Sequence, residues 1–319
     1  MNFILSEMTF LRYFIPLIIE GNKRNISSLV LIGSNNKYTS PHKYKDVIRT
    51  FSNQFKFKTE ELNRQNLDGI TFLLEGVDID EIKGNSKKII LTYQRDFSII
   101  YNNYIKKTHY VVMPSKFFAE HYNTISEKNL YLGSPKYDVV LEKLEIIKKY
   151  GLKEGRMALV VFPKIEFMNK EKYAYLEKLY NCLKLMGYII IVKTRGKDPV
   201  PQKYRGDKYF EDFSWFPHTT MELIEVADVV INFDSTTIKE CVMMNRPVIN
   251  FNMKPERYFS FLYDDNYSRQ FSFGTDVQVF KDAVEKLSGT DLNKGFYEAR
   301  EKYLFQPGNV SKKILDVVM

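Results

Sequence analysis

The sequence predicts an α/β chain built from two doubly wound, parallel-sheet domains facing a cleft. Three observations carry this expectation. Short β-favouring runs alternate with helix-period segments from residue 2 to residue 132. A second alternation of the same kind runs from 157 to 251. Between them a charged helical stretch, 138–150, ends at Gly151. Alternating strands and helices bury a parallel sheet between two helix layers. At about 150 residues per domain the chain holds two. They are expected at 1–150 and 151–319, with the last helix crossing back.

Taken in order, 2–6 is a short apolar strand and 8–20 has helical periodicity, stopped by Gly21. Strand 29–33 runs into the turn Gly33-Ser34-Asn35-Asn36, and 43–55 fits a helix. Strand 69–74 leads to Glu75-Gly76. Strand 88–93 precedes a helix near 97–106, then comes strand 110–113. Ser115 suits the N-cap of helix 116–122. A short strand, 130–132, closes the first series before Gly133-Ser134-Pro135. The second series reads strand 157–162, helix 169–186 closed by Gly187, strand 188–192, helix 220–226, strand 228–232, helix 236–244 and strand 247–251. Helical segments at 276–287, 296–303 and 311–317 finish the chain.

Composition narrows the function classes. There are 47 Lys+Arg against 39 Asp+Glu, a formal net charge of +8, and the pI is about 9.1. That balance favours anionic partners: phosphates, nucleic acid or an acidic membrane face. Lys/Arg runs and nucleic-acid motifs are missing, which argues against nucleic acid. Two cysteines, Cys182 and Cys241, exclude a disulfide scaffold and a Cys-rich zinc site. The apolar start lacks a basic n-region and is interrupted by Glu7 and Arg12, so it reads as strand and helix, not signal peptide. No apolar run reaches about 18 residues, so no transmembrane helix is expected. Neither a G-x-G-x-x-G fingerprint nor a Walker lysine loop is present, against a dehydrogenase or P-loop NTPase.

Residues 226–251 carry the strongest signal. A buried strand delivers the chain to the hydroxyl-rich turn Asp234-Ser235-Thr236-Thr237, which opens a helix. Helix starts offer unpaired N–H groups and about half a positive charge, which suits a phosphate. Ser235, Thr236 and Thr237 would add hydroxyl donors, and Glu240, one turn on, could reach a ribose hydroxyl. The plain alternative is an N-cap cluster. Lys193, Arg195 and Lys197 follow an apolar strand at the end where a parallel sheet places ligands, and Lys164 occupies the matching place one strand earlier.

This segment resembles the donor-binding domain of GT-B-fold glycosyltransferases, in particular the CDP-glycerol glycerophosphotransferase-like and UDP-N-acetylglucosamine 2-epimerase-like branches. Gly133-Ser134-Pro135-Lys136-Tyr137-Asp138 resembles the segment that ends the N-terminal domain in those relatives. Val192-Lys193-Thr194-Arg195-Gly196-Lys197 resembles the basic strand end beside the donor phosphates, and Gly308-Asn309-Val310-Ser311-Lys312-Lys313-Ile314 resembles their closing segment. The resemblance spans about residues 130–319; the first third matches in alternation only. A Trp-His-Gly motif is missing, and the epimerase turn Asp-Ser-Gly-Gly is replaced by Asp-Ser-Thr-Thr.

The resemblance implies two Rossmann-like domains and transfer of a glycosyl or polyol-phosphate group from a nucleotide-sugar or CDP-polyol donor to a saccharide or lipid-linked acceptor, in surface-polysaccharide biosynthesis. It implies a metal-independent enzyme without cofactor, cytoplasmic, with peripheral contact to the inner membrane face. Ser235, Thr236, Thr237, Lys193, Arg195, Glu240 and His218 would hold the donor. A general base would come from the N-terminal domain: Glu75 or Asp96, each at a strand's carboxyl end. His42, His109 and His121 are further candidates, and Asp138 is expected to fix the interdomain hinge. The loop 213–220 holds the single Trp, either a base-stacking wall or a buried anchor. Asp78-Ile79-Asp80 has the form of a metal motif but reads as surface charge. The alternatives are an NDP-sugar 2-epimerase of the same fold and a non-enzymatic nucleotide or nucleic-acid binder.

Overall fold

The computed structural model describes residues 1–33, 39–63, 66–74, 77–92, 105–194, 200–211, 214–253, 259–305 and 307–319. The chain forms two compact units, Met1–Val139 with Glu301–Met319, and Val140–Arg300. The first unit therefore ends at Val139 rather than at 150, and it takes back the last segment of the chain.

In the first unit β1 (Asn2–Leu5), β2 (Leu29–Ile32), β3 (Lys58–Glu61), β4 (Ile70–Leu74), β5 (Lys87–Leu91), β6 (Tyr110–Met113) and β7 (Asn129–Tyr131) form one sheet. Its order is β3-β2-β1-β4-β5-β6-β7, and every pair is parallel. The helices are α1 (Leu11–Lys23), α2 (Lys45–Phe55) and α3 (Lys116–His121). Ser115 caps α3 by accepting from Phe118 N at 3.1 Å, as its sequence position predicts.

The second unit opens with α4 (Lys143–Tyr150). It continues with β8 (Met157–Val161), α5 (Lys170–Leu185), β9 (Ile189–Lys193), β10 (Lys208–Phe210), α6 (Thr219–Val226), β11 (Val229–Asn232) and α7 (Ile238–Met243). β12 (Val248–Asn252), β13 (Ser268–Ser272), α8 (Val277–Gly289) and α9 (Asn293–Tyr303) follow. Its all-parallel sheet has the order β10-β9-β8-β11-β12-β13. The last helix, α10 (Val310–Val318), belongs to the first unit.

Three strands have no counterpart in the sequence reading: β3, β10 and β13. All three are edge strands. Strand β3, Lys-Thr-Glu-Glu, is exposed along its whole length. An edge strand covered on few sides needs no apolar run, and its charges discourage further pairing. The helix expected from 138 begins only at Lys143. Asp138 is drawn elsewhere: its carboxylate accepts from Val310 N at 3.1 Å and Ser311 N at 2.5 Å, capping α10. This carboxylate, one residue before the boundary at Val139, thus anchors the returning helix within the first unit. Gly133, at φ +88°, lies where a Cβ would collide with the Phe305 ring, so the two motif segments near 135 and 310 pack together. The helix expected near 97–106 falls mostly outside the described residues.

The second sheet's core sits on one face. Val160, Val192, Ile231, Ile249 and Phe251 pack with Leu176, Leu179 and Leu183 of α5 and Phe280 and Val284 of α8. Phe251 has the rings of Tyr175, Phe233, Phe271, Phe273 and Phe280 within 6.0 Å. Strand alternation then fixes the residues between these as the second face.

Candidate functional site

Counted from its first strand, the second sheet has the order 3-2-1-4-5-6. In such a sheet the strand order reverses between strands 1 and 4, and ligands bind outside the carboxyl ends at that point. Here the point lies between β8 and β11. On one side it carries Phe162-Pro163-Lys164, on the other Phe233 and the turn Asp234–Thr237.

Register places the last residues of the strands in one row on the second face. Phe210 pairs with Lys193, Lys193 with Val161, Asn232 with Asn250, and Asn250 with Gln270. The β8–β11 register sets Val161 beside Asn232. Lys193, Asn232 and Asn250 are all buried. An ammonium and two amides at the end of a hydrophobic sheet need polar company, because an unpaired amide in the interior costs about 1–3 kcal/mol.

The amides find that company in one another and in the turn. Asn232 Nδ2 donates to Asn250 Oδ1 at 3.1 Å, to Ser235 O at 3.1 Å and to Tyr263 Oη at 2.9 Å. Asn250 Nδ2 donates to Asp234 Oδ1 at 2.8 Å. Asp234 N donates to Asn250 Oδ1 at 2.9 Å, and Asp234 Oδ2 accepts from Met253 N at 2.5 Å. Among the described residues Asn232 Oδ1 is buried without a hydrogen-bond partner. Asp234 sits at φ 49°, a left-handed conformation that Asp tolerates better than most residues. Its carboxylate therefore clamps the turn to the end of β12.

Ser235 and Thr237 are buried, and Thr236 is half-buried. Ser235 Oγ and Thr237 Oγ1 lie 3.0 Å apart. The N–H groups expected to be unpaired at the helix start are partly engaged. Thr237 N reaches Ser235 Oγ at 3.4 Å, Ile238 N reaches Ser235 O at 3.4 Å, and Lys239 N reaches Thr236 O at 3.1 Å. The first two are long for N–H···O bonds. The helix that follows, α7, has only six residues, so its dipole is short. The turn, rather than the helix, defines this place.

Of the other residues singled out above, Lys193 closes β9 in the polar row. Glu240 is buried on α7, where burial and then the Glu240 charge push the Cys241 thiol well above its usual pKa. His218 is buried, its Nε2 3.0 Å from Thr220 Oγ1. Trp215 is buried, which fits a loop anchor better than an open stacking wall. Lys164 is exposed and pairs with Glu166 at 3.0 Å. Arg195, Glu75 and Asp96 lie outside the described residues. Asp78 accepts from Asp80 N at 3.0 Å, and Asp80 pairs with Lys107, so this stretch is an exposed turn. Among the described residues no group of three or more His, Cys, Asp or Glu is gathered to hold a metal. Among them also, no helix is long and apolar enough to cross a membrane.

The first sheet has its own reversal point, between β1 and β4. The carboxyl end of β1 leads to Glu7, which sequence reasoning treated only as an interruption of an apolar stretch. Glu7 is half-buried, and its Oε2 lies 3.5 Å from Thr9 Oγ1 and 3.4 Å from Thr39 Oγ1. Its place is two residues past the end of the first strand, where a parallel sheet presents its chemistry, and only the strand order shows that this strand borders the reversal point. His42 lies 3.8 Å from Glu61. His121 stacks on Phe117. His109 stands at the opposite, amino end of β6. Its Nδ1 accepts from Lys88 N at 3.1 Å, and burial, then Lys87, Lys128 and Lys88, hold its pKa below the usual value.

No protein-family model matches the sequence, and no curated protein matches it. Solved structures do match in fold. The wall teichoic acid polymerase TagF, in crystals soaked with CDPG, superimposes with a TM-score of 0.69 at 12% identity, covering 99% of this chain and 87% of that one. The glycotransferase of kitacinnamycin gives 0.59 at 9% identity, covering 100% and 98%. S. aureus MnaA in a co-structure with UDP gives 0.55 at 12% identity, covering 98% and 94%. At such identities the likeness is one of fold. The chain thus has a GT-B-like α/β fold, two Rossmann-like parallel sheets of seven and six strands flanked by helices.

Proposed function

We propose that this protein is a transferase that moves a glycosyl or polyol-phosphate group from a nucleotide-activated donor to an acceptor hydroxyl. The observation that carries the reading is the buried polar row of Lys193, Asn232 and Asn250, meeting the hydroxyl turn Ser235–Thr237 at the second sheet's reversal point. The similarity in fold to TagF soaked with CDPG and to MnaA with UDP supports a nucleotide donor. In this reading Lys193 and Arg195, with the hydroxyls of Ser235, Thr236 and Thr237, hold the diphosphate. Fixed dipoles and a cation in a site shielded from water stabilise the charge that grows on the leaving phosphate. His218 and Glu240 take the nucleoside side. The base that deprotonates the acceptor is a carboxylate of the first unit: Glu75, Asp96 or Glu7. The basic surplus suits an anionic membrane surface, where a lipid-linked saccharide acceptor resides.

A thermal-shift screen of UDP, CDP, GDP, CMP and their sugar and polyol derivatives tests this. One nucleotide class should raise the melting temperature, and the doubly substituted Ser235→Ala, Thr236→Ala protein should lose at least most of that shift while melting within a few degrees of the parent. A shift that survives the substitution moves the donor elsewhere. Conversion of UDP-N-acetylglucosamine to its 2-epimer with no acceptor present would replace transfer by epimerisation.

A further inference from the structure

On the core-bearing side of the second sheet, α5 and α8 leave a groove of about 650 Å³ between them, open to solvent along one side. That is within the range of about 300–1,000 Å³ usual for small-molecule sites. Both helices follow the carboxyl end of a strand and run back along the sheet, so they lie side by side. Tyr175 Oη donates to Thr275 O at 2.6 Å and ties the start of one to the approach of the other. The groove's lining from Lys178 to Leu185 runs for about 10 Å at 1.5 Å per residue. Its lower end lies beside Arg156 and Met186, near the amino ends of β8 and β9, away from the reversal point.

The lining has two characters. Cys182, Leu185 and Met186 give it an apolar, polarisable side. Leu185 is 90% exposed, and Cys182 Sγ lies 3.9 Å from Met186 Sδ. Against this stand three cations, Arg156, Lys178 and Lys281, the last 3.9 Å from the one carboxylate, Glu285. The Arg156 guanidinium is fixed in advance. It lies 4.2 Å over the Tyr188 ring and donates from Nη2 to Tyr188 Oη at 2.6 Å. Tyr188 Oη is in turn 2.9 Å from Ser288 Oγ. Lys178 makes no ion pair with any described residue. A pre-oriented guanidinium binds carboxylate or phosphate with less ordering cost than a free one.

We propose that this groove binds a small amphiphilic organic anion. Its carboxylate or phosphate head sits among Arg156, Lys178 and Lys281, and its apolar body lies along Cys182, Leu185 and Met186. This is separate from the nucleotide reading, since none of these residues belongs to the polar row or the 234–237 turn.

The full chain is titrated with 8-anilinonaphthalene-1-sulfonate, followed by fluorescence, and the dye is then competed with decanoate, decyl phosphate and decanol. Decanoate and decyl phosphate should displace it, with decanol at least about tenfold weaker, the cost of losing one charge-assisted contact. Arg156→Gln and Lys178→Gln should each weaken decanoate by about tenfold on the same grounds. Lys178→Arg should restore it, and Lys294→Gln, at an exposed lysine outside the groove, should change nothing. Lys178 is exposed, so its variants keep the fold. Decanol competing as well as decanoate overturns the proposal, as does decanoate affinity indifferent to both charge-removing substitutions. The nucleotide-induced melting shift should be unaltered in Arg156→Gln, so either reading can fail alone.

Discussion

Two sheets with the same strand order end in opposite chemistry. In the first unit the last strand row runs Glu61, Ile32, Leu5, Leu74, Leu91, Val112 and Leu130, aliphatic in every strand but the exposed edge strand β3. In the second it runs Phe210, Lys193, Val161, Asn232, Asn250 and Gln270, with three polar residues besides the ammonium and its neighbours Phe210 and Val161. Parallel strands flanked by helices on both faces need only apolar side chains to be stable. The inner strands of the first sheet do that at their carboxyl ends. A polar row in the same place gains nothing over leucine in burial, so its presence points to a ligand or to fixing one geometry of the neighbouring turn. The contrast is the ground on which the donor site is proposed in the second unit.

Exchanging the two kinds of row breaks or sharpens this contrast. The largest effect is expected from Leu91→Asn, which removes a buried leucine and strands an amide in the first sheet. It should lower stability by about 4 kcal/mol in urea unfolding. The reverse exchange, Asn250→Leu, removes the partner of Asn232, Asp234 and Tyr263 and should cost about 3 kcal/mol. If Asn250→Leu is instead stabilising and leaves nucleotide binding intact, the polar row has no functional meaning. Asp234→Ala loses the bonds to Asn250 and Met253 and places a Cβ-bearing residue without a polar side chain at positive φ. About 2 kcal/mol is expected, measured the same way. Smallest is the effect at His109, whose NMR titration should have its midpoint below the ordinary histidine value of about 6.5. Folding depresses this pKa, so its stabilising contribution is complete above the unfolded value and is lost as pH falls through the folded one. His109→Gln should flatten the stability profile only on that acidic side.

Much of this was legible along the chain. The apolar runs of β1, β2, β4, β8, β9, β11 and β12 are central or near-central strands, and a strand buried on both faces must be apolar. Three of the four edge strands, β3, β10 and β13, were not legible, because an edge imposes no such pattern; the fourth, β7, showed itself by a short apolar run at 130–132. The turn at 234–237 showed itself through its hydroxyls and its place after a strand. Asp234 read as part of an anion cradle, yet its carboxylate is spent on Asn250 and Met253. Asp138, read as a hinge residue, stands one residue before Val139, where the first unit ends, and its carboxylate caps a helix that begins 172 residues later, which no local pattern announces. Glu7 was passed over because nothing local distinguishes a carboxylate at a reversal point from one that merely interrupts a run.

The amino-acid order alone determined the alternation, the parallel sheets that alternation requires, and the turn where the second series bends after its buried strand. It could do so because burial and turn chemistry act over a few residues. Only the tertiary structure decided which strands became neighbours. That choice brought Lys193, Asn232 and Asn250, far apart in sequence, into a single register row, and returned α10 to Asp138. Strand pairing is settled by non-local packing and hydrogen bonding, which leave no periodic mark on the chain.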